Sequence, residues 1–212
     1  MSLIRLGAFF GNRLNLNGDQ GNLLALKRYL EAAGYEVDVV AVGTTEQAIE
    51  CNFVLLGHGS LAAMASLSEH LIMFDWQKVM STVPGLSVGS GTEWLATHGF
   101  VNPIQNRAER VSEFQVGNLG NLKVLGYRNT DTDIPNIGLT EQFLVSMLHG
   151  PVLAKNPRLL HKAAVAAARS AGFDWTVTSP DSFAKWVEAL NRIAAQIWEL
   201  EAEEPYSPLV FA

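Results

Sequence analysis

Three short stretches hold residues suited to acyl-transfer chemistry. In "LSVGSGTEW" (86–94), the turn Gly89-Ser90-Gly91 lies between an apolar strand pattern and a helix start. Such a turn can expose a nucleophile, and the amides of the helix N-terminus can stabilise an oxyanion. In "SMLHGP" (146–151), His149 ends an apolar run, where an imidazole titrating near working pH suits a general base. In "LLGHGS" (55–60), Gly57, His58 and Gly59 form a glycine-bearing loop after another apolar run. Asp131 and Asp133 fall between Ser90 and His149, which permits the chain order Ser…Asp…His.

Each of these has a plainer reading. A serine-hydrolase elbow needs G-x-S-x-G, whereas here the frame is Val88-Gly89-Ser90-Gly91-Thr92, with both glycines one place too close. Ser90 therefore reads first as a turn residue. His149 alone reads as a buried, hydrogen-bonded histidine, His58 as a loop residue, and the two aspartates as solvated. His70, His98 and His161 have no ligand-type spacing, so neither a metal nor another cofactor is expected.

The elements that must position these residues alternate between strand and helix patterns. Strands are expected at 3–10, 35–42, 52–57, 86–89 and 142–150, with helices at 21–34, about 92–97, about 156–171 and about 181–203. Residues 61–80 read as mixed and helical, and "RVSEFQVG" with "LKVLGYRN" as an antiparallel or edge pair. The loop "NLNGDQGN" (15–22) lacks the dinucleotide and P-loop patterns, and Asp19 or Asn22 reads as a helix cap. Asp181 or Ser182 is expected to cap the last helix. On that helix Phe183, Trp186, Leu190, Ile193, Ile197 and Leu200 form a seam with spacings of three and four.

Alternation of this kind implies an α/β fold, a mostly parallel sheet with helices on both faces. Ligands then sit beyond the carboxyl ends of the strands, where the three loops converge. The chain of 212 residues is expected to form a single domain over 1–212. A net charge of -6 without a basic run argues against nucleic acid. One cysteine, Cys51, excludes an intramolecular disulfide, and no apolar stretch is long enough for a membrane span. A cytoplasmic location is the expectation.

Two longer stretches carry a resemblance. "LNLNGDQGNLLALKRYLEAAGYEV" (14–37) and "FLVSMLHGPVLAKNP" (143–157) resemble the small glutaminase subunit that partners a Mur-ligase-like protein in lipid II amidation. That family belongs to the class I glutamine amidotransferases and is related to the cobyric acid synthase type. The resemblance implies a flavodoxin-like three-layer sandwich, with His149 as catalytic base and Gly57-His58-Gly59 as the oxyanion loop. It also places Arg128 near an arginine that holds glutamine. The family nucleophile is a cysteine, and Gly89 stands at its position. The resemblance thus implies a glutaminase frame without its thiol, a pseudoenzyme or regulatory subunit of a Mur-ligase-like partner. Cys51, placed before the third strand, lies at the wrong end of the sheet to substitute. Two rival readings stay open: a serine amidase using Ser90 and His149, and a module that binds glutamine or another small amide.

Overall fold

The computed structural model describes residues 3–101 and 107–210. The first apolar run forms β1 (Leu3–Phe9), in which Ile4, Leu6 and Ala8 pack on one face of the sheet and Phe9 on the other. The amphipathic run after it forms α1 (Gly21–Ala33), ended by Gly34 at φ 104°. Next come β2 (Glu36–Val42), α2 (Thr45–Ile49) and β3 (Phe53–Leu56), whose four residues are all buried. Helices α3 (Leu61–Leu71) and α4 (Trp76–Thr82) lead into β4 (Gly85–Val88) and α5 (Ser90–Thr97).

A hairpin of β5 (Arg107–Leu119) and β6 (Leu122–Thr132) precedes β7 (Ile137–Thr140), β8 (Phe143–Ser146) and β9 (Leu148–His149). The chain then turns helical in α6 (Val152–Lys155), α7 (Pro157–Ser170) and α8 (Pro180–Glu201).

The main sheet has the order β2-β1-β3-β4-β8-β7, parallel except for β7 at its edge. The leading order 2-1-3-4 is that of flavodoxin-like doubly wound sheets. Alternate residues of β3 feed two cores: Phe53 and Leu55 meet α1, α7 and α8, while Val54 and Leu56 meet α3, α4 and α5. The architecture is the expected three-layer α/β sandwich. A second sheet, β5-β6-β9, stands beside it.

Several details differ from the sequence expectation. The run 142–150 is not one strand. β8 ends at Ser146, Met147 turns its amide to the Asn136 carbonyl, and β9 joins β6 in the second sheet. β7 and α2 had no clear periodicity and were not expected. Neither Asp19 nor Asn22 caps α1, because Gln20 holds the N-cap without a side-chain bond. Likewise Ser179, not Asp181 or Ser182, precedes α8, again without a side-chain bond.

On α8 the buried stripe is Phe183, Val187, Ala194 and Trp198, while Ile193 and Leu200 are 54% and 80% exposed. The returning C-terminal segment sets this rotation. Asn191 holds Tyr206 and Leu209, and the Trp198 indole donates to the Lys155 carbonyl.

Candidate functional site

The site begins where β4 meets α5. Gly89 bridges them at φ 53° and ψ -119°, outside the left-handed helical well, where a residue with a Cβ is strained. Its amide donates to the Ser146 carbonyl at 2.8 Å, and its carbonyl receives the Glu93 amide at 2.9 Å. Thr92, fully buried in the first turn of α5, fixes that helix to two strands. Its hydroxyl meets Ser87 Oγ at 2.8 Å and donates to the Ser146 carbonyl at 3.0 Å. A strand, a glycine at a positive φ and a tied-down helix together have the strand–turn–helix form of a nucleophile elbow.

A Cβ built on Gly89 would lie 2.6 Å from His58 Nδ1 and 2.7 Å from His149 Cε1. Position 89 therefore faces both histidines, as a nucleophile facing a base would. The two imidazoles meet edge to face with ring centroids 4.4 Å apart. His58 Nδ1 accepts the Ser90 amide at 2.9 Å, so the His58 proton sits on Nε2. Burial, and then the neighbouring His149, push the His58 pKa down to about 4.

His149 is buried, and its Nδ1 bonds the Asn17 side-chain amide at 2.9 Å. Its Nε2 has no hydrogen-bond partner among the described residues. Burial is the main cause lowering its pKa, with help from Lys155 and Arg128 and against the pull of the Asn129 carbonyl.

The glycine-bearing loop closes over the start of α5. A side chain at Gly57 would run into the Leu14 carbonyl at 2.0 Å, a contact only glycine allows. Ser90 is bound to this loop and not to a base. Its hydroxyl accepts the Gly59 amide at 2.9 Å and donates to the Gly59 carbonyl at 3.0 Å.

Arg128 is buried, and its guanidinium donates to the carbonyls of Thr132 and Ile134 and to Asn136 Oδ1. It clamps the segment between β6 and β7. Cys51 is buried before β3 against β1, and burial raises its thiol pKa to about 11.

A cleft of about 570 Å³ opens in front of the elbow, with His58, Ser90, Glu93, Arg110, Asn129 and Asp131 in its lining. His58 and Ser90 line this cleft, whereas Gly89 and His149 are not part of its lining. Glu93 Oε1 receives the Thr130 hydroxyl at 2.7 Å, and Arg110 donates to Asn129 Oδ1.

Sequence reasoning overlooked the amide residues that hold this assembly. Asn22 donates to the carbonyls of Asp19 and Gly150 and accepts the Leu153 amide. Asn156 bonds both backbone groups of Leu125 and the Val152 carbonyl. Asp19 is fully buried. One of its carboxylate oxygens takes the Asn17 amide at 3.4 Å, and the other has no partner. Burial raises the Asp19 pKa against the amides of Asn17, His58 and Gly150. The density of amides in "NLNGDQGN" was the available signal, and helix capping absorbed it.

No family model matches the chain. It is 24% identical over 190 residues to the lipid II isoglutaminyl synthase (glutamine-hydrolyzing) subunit GatD of Staphylococcus aureus, with 70% of this chain and 77% of that one covered. Among solved structures it resembles a glutamine amidotransferase from Thermotoga maritima, at 12% identity, TM-score 0.45 and coverage of 93% and 92%. It also resembles the glutaminase domain of Trypanosoma brucei CTPS with bound acivicin, at 11% identity, TM-score 0.48 and coverage of 81% and 96%. Drosophila melanogaster DJ-1beta is a further match, at 15% identity, TM-score 0.42 and coverage of 90% and 98%. In sequence, then, the chain is similar to that GatD subunit.

Proposed function

We propose that this protein is a single-domain, cytoplasmic glutamine-amidotransferase-like subunit that does not hydrolyse glutamine by a thiol. In this reading it supports or regulates a Mur-ligase-like partner in the amidation of a cell-wall precursor. The observation that carries the reading is Gly89, a residue without a side chain at an elbow aimed at His149. Class I glutaminase chemistry needs a thiolate at that point to attack the amide carbon, with the histidine as base. The similarity to a subunit of a glutamine-hydrolysing synthase supports the choice of partner class.

The expected outcome is a stable complex when the chain is co-expressed with the Mur-ligase-like protein of its own genome. A strictly monomeric chain beside a folded ligase-like protein would overturn the partner assignment. The serine-amidase reading loses support from the two bonds between the Ser90 hydroxyl and Gly59. A fluorophosphonate adduct on Ser90 would restore it.

The polar cleft favours a second reading, the small-amide binding module. Its lining carries two carboxylates (Glu93 and Asp131) and a guanidinium (Arg110), groups that complement the two ends of an amino acid. Calorimetry with glutamine separates the two, because heat without ammonia release is the signature of binding alone.

A further inference from the structure

The glutaminase-like site is not merely short of a side chain, because its vacated space is filled. We propose that His58 is a built-in plug: its imidazole occupies the volume that a side chain at position 89 needs and holds the Ser90 amide that a ligand oxygen would seek. Residues 58 and 89 are then mutually exclusive occupants of one space. The inference rests on the reading of Gly89 as the nucleophile position.

Two independent observations carry it. The first is steric. The Gly89 Cβ direction ends 2.6 Å from His58 Nδ1, closer than real Cβ contacts come, and a thiol would reach further still. The histidine cannot retreat toward His149, since the rings already touch at 4.4 Å between centroids. It would have to swing outward into the cleft, which it lines.

The second observation is polar. The first free amide of α5 is that of Ser90, the natural donor to an oxyanion at this elbow. Here it donates to His58 Nδ1 at 2.9 Å, with no ligand involved. A buried amide left without an acceptor is costly, so the imidazole keeps the ligand-free site satisfied. The plug also explains why the cleft ends on His58 and does not reach His149. A ligand that enters the cleft meets the His58 ring first and gains the Ser90 amide only by displacing it.

The consequence is that restoring the thiol alone does not restore the site. In Gly89→Cys, the new side chain and His58 compete for the same volume. In the double variant Gly89→Cys with His58→Ala, the contact with His58 is gone, the His149 ring, 2.7 Å from the same Cβ position, gains the space His58 left to move into, and the Ser90 amide is open. The test is the rate of iodoacetamide alkylation at position 89, followed by peptide mapping so that Cys51 is scored apart. The expected result is at least ten-fold faster labelling in the double variant than in Gly89→Cys. Equal rates would overturn the plug.

Hydrogen exchange of the Ser90 amide, in unaltered protein against His58→Ala, needs no change at position 89. Exchange at least ten-fold faster in His58→Ala is expected, and unchanged protection would also overturn the plug. Neither readout depends on glutamine turnover. Ammonia release by the unaltered protein would sink the proposed function and leave these tests as they stand.

Discussion

Two polar regions lie side by side beyond the carboxyl ends of the strands, and they are built in opposite ways. The asparagine scaffold is fully satisfied: Asn22 and Asn156 each make three hydrogen bonds to backbone and stitch α1, β6, α6 and α7 together. The elbow beside it is full of uncompensated features. One nitrogen of His149 and one oxygen of Asp19 have no hydrogen-bond partner among the described residues, and the Gly89 dihedral is one that only glycine takes without strain. Unpaired buried groups cost stability. The scaffold keeps the elbow in place, and position 89 of that elbow carries no side chain.

The largest expected effect falls on the scaffold. Asn156→Ala strands the Leu125 N–H and C=O and the Val152 carbonyl, and should cost about 3 kcal/mol of unfolding free energy by urea titration. A loss under ~1 kcal/mol would erase the contrast between the two regions.

Next comes the elbow itself. Gly89→Ala forces a Cβ into the strained dihedral and against His58, and should cost about 2 kcal/mol. In a His58→Ala background the clash with His58 vanishes and only that with His149 is left, so a double-mutant cycle should show positive coupling. Strict additivity would reduce the cost to backbone strain and the His149 contact.

The histidine pair predicts the pH response. Both folded-state pKa values lie below the unfolded value, that of His58 at about 4. Stability from the neutral imidazoles is therefore fully present above about pH 6.5 and is lost as pH falls toward 4. Lys155 and Arg128, near His149, act in the same direction. Asp19 is shifted upward, so its share runs the other way and is lost as pH rises through its folded pKa. A drop of roughly 1 kcal/mol between pH 7 and 5 is expected, and it should shrink in His149→Gln. A profile that stays flat in an Asp19→Asn background as well, where the opposing share is gone, would show that the pair is solvated.

The smallest effect is at Ser90. Ser90→Ala loses the two bonds to Gly59 and should cost about 1 kcal/mol, with no change in any amidase readout.

Much of this fold was legible from apolar periodicity. The strands at β1, β2, β3 and β4 and the helices α1, α7 and α8 lie close to their expected bounds, because the helices bury one periodic face and β3 and β4 are short apolar runs buried on both faces. The break between β8 and β9 was not legible. An unbroken apolar run gives no sign that Met147 turns its amide away and the chain changes sheets. The seam on α8 misled for a related reason: spacing defines a stripe, but the returning segment at Tyr206 and Leu209 decides which stripe is covered. At the elbow, residue types pointed to Ser90, His58 and His149, and only the resemblance pointed to Gly89. That one imidazole holds the next residue's amide is a matter of side-chain direction, which no spacing encodes.

The central claim is that the elbow carries no working nucleophile, and ammonia release tests it most directly. The purified chain, alone and with the Mur-ligase-like protein proposed as its partner, is incubated with glutamine, and ammonia is followed by a coupled enzymatic assay. The account predicts no release above the buffer rate from the chain in either case. Turnover by the unaltered chain that disappears in Ser90→Ala or His149→Ala would contradict it, and would show that the site works by a group other than a thiol at position 89.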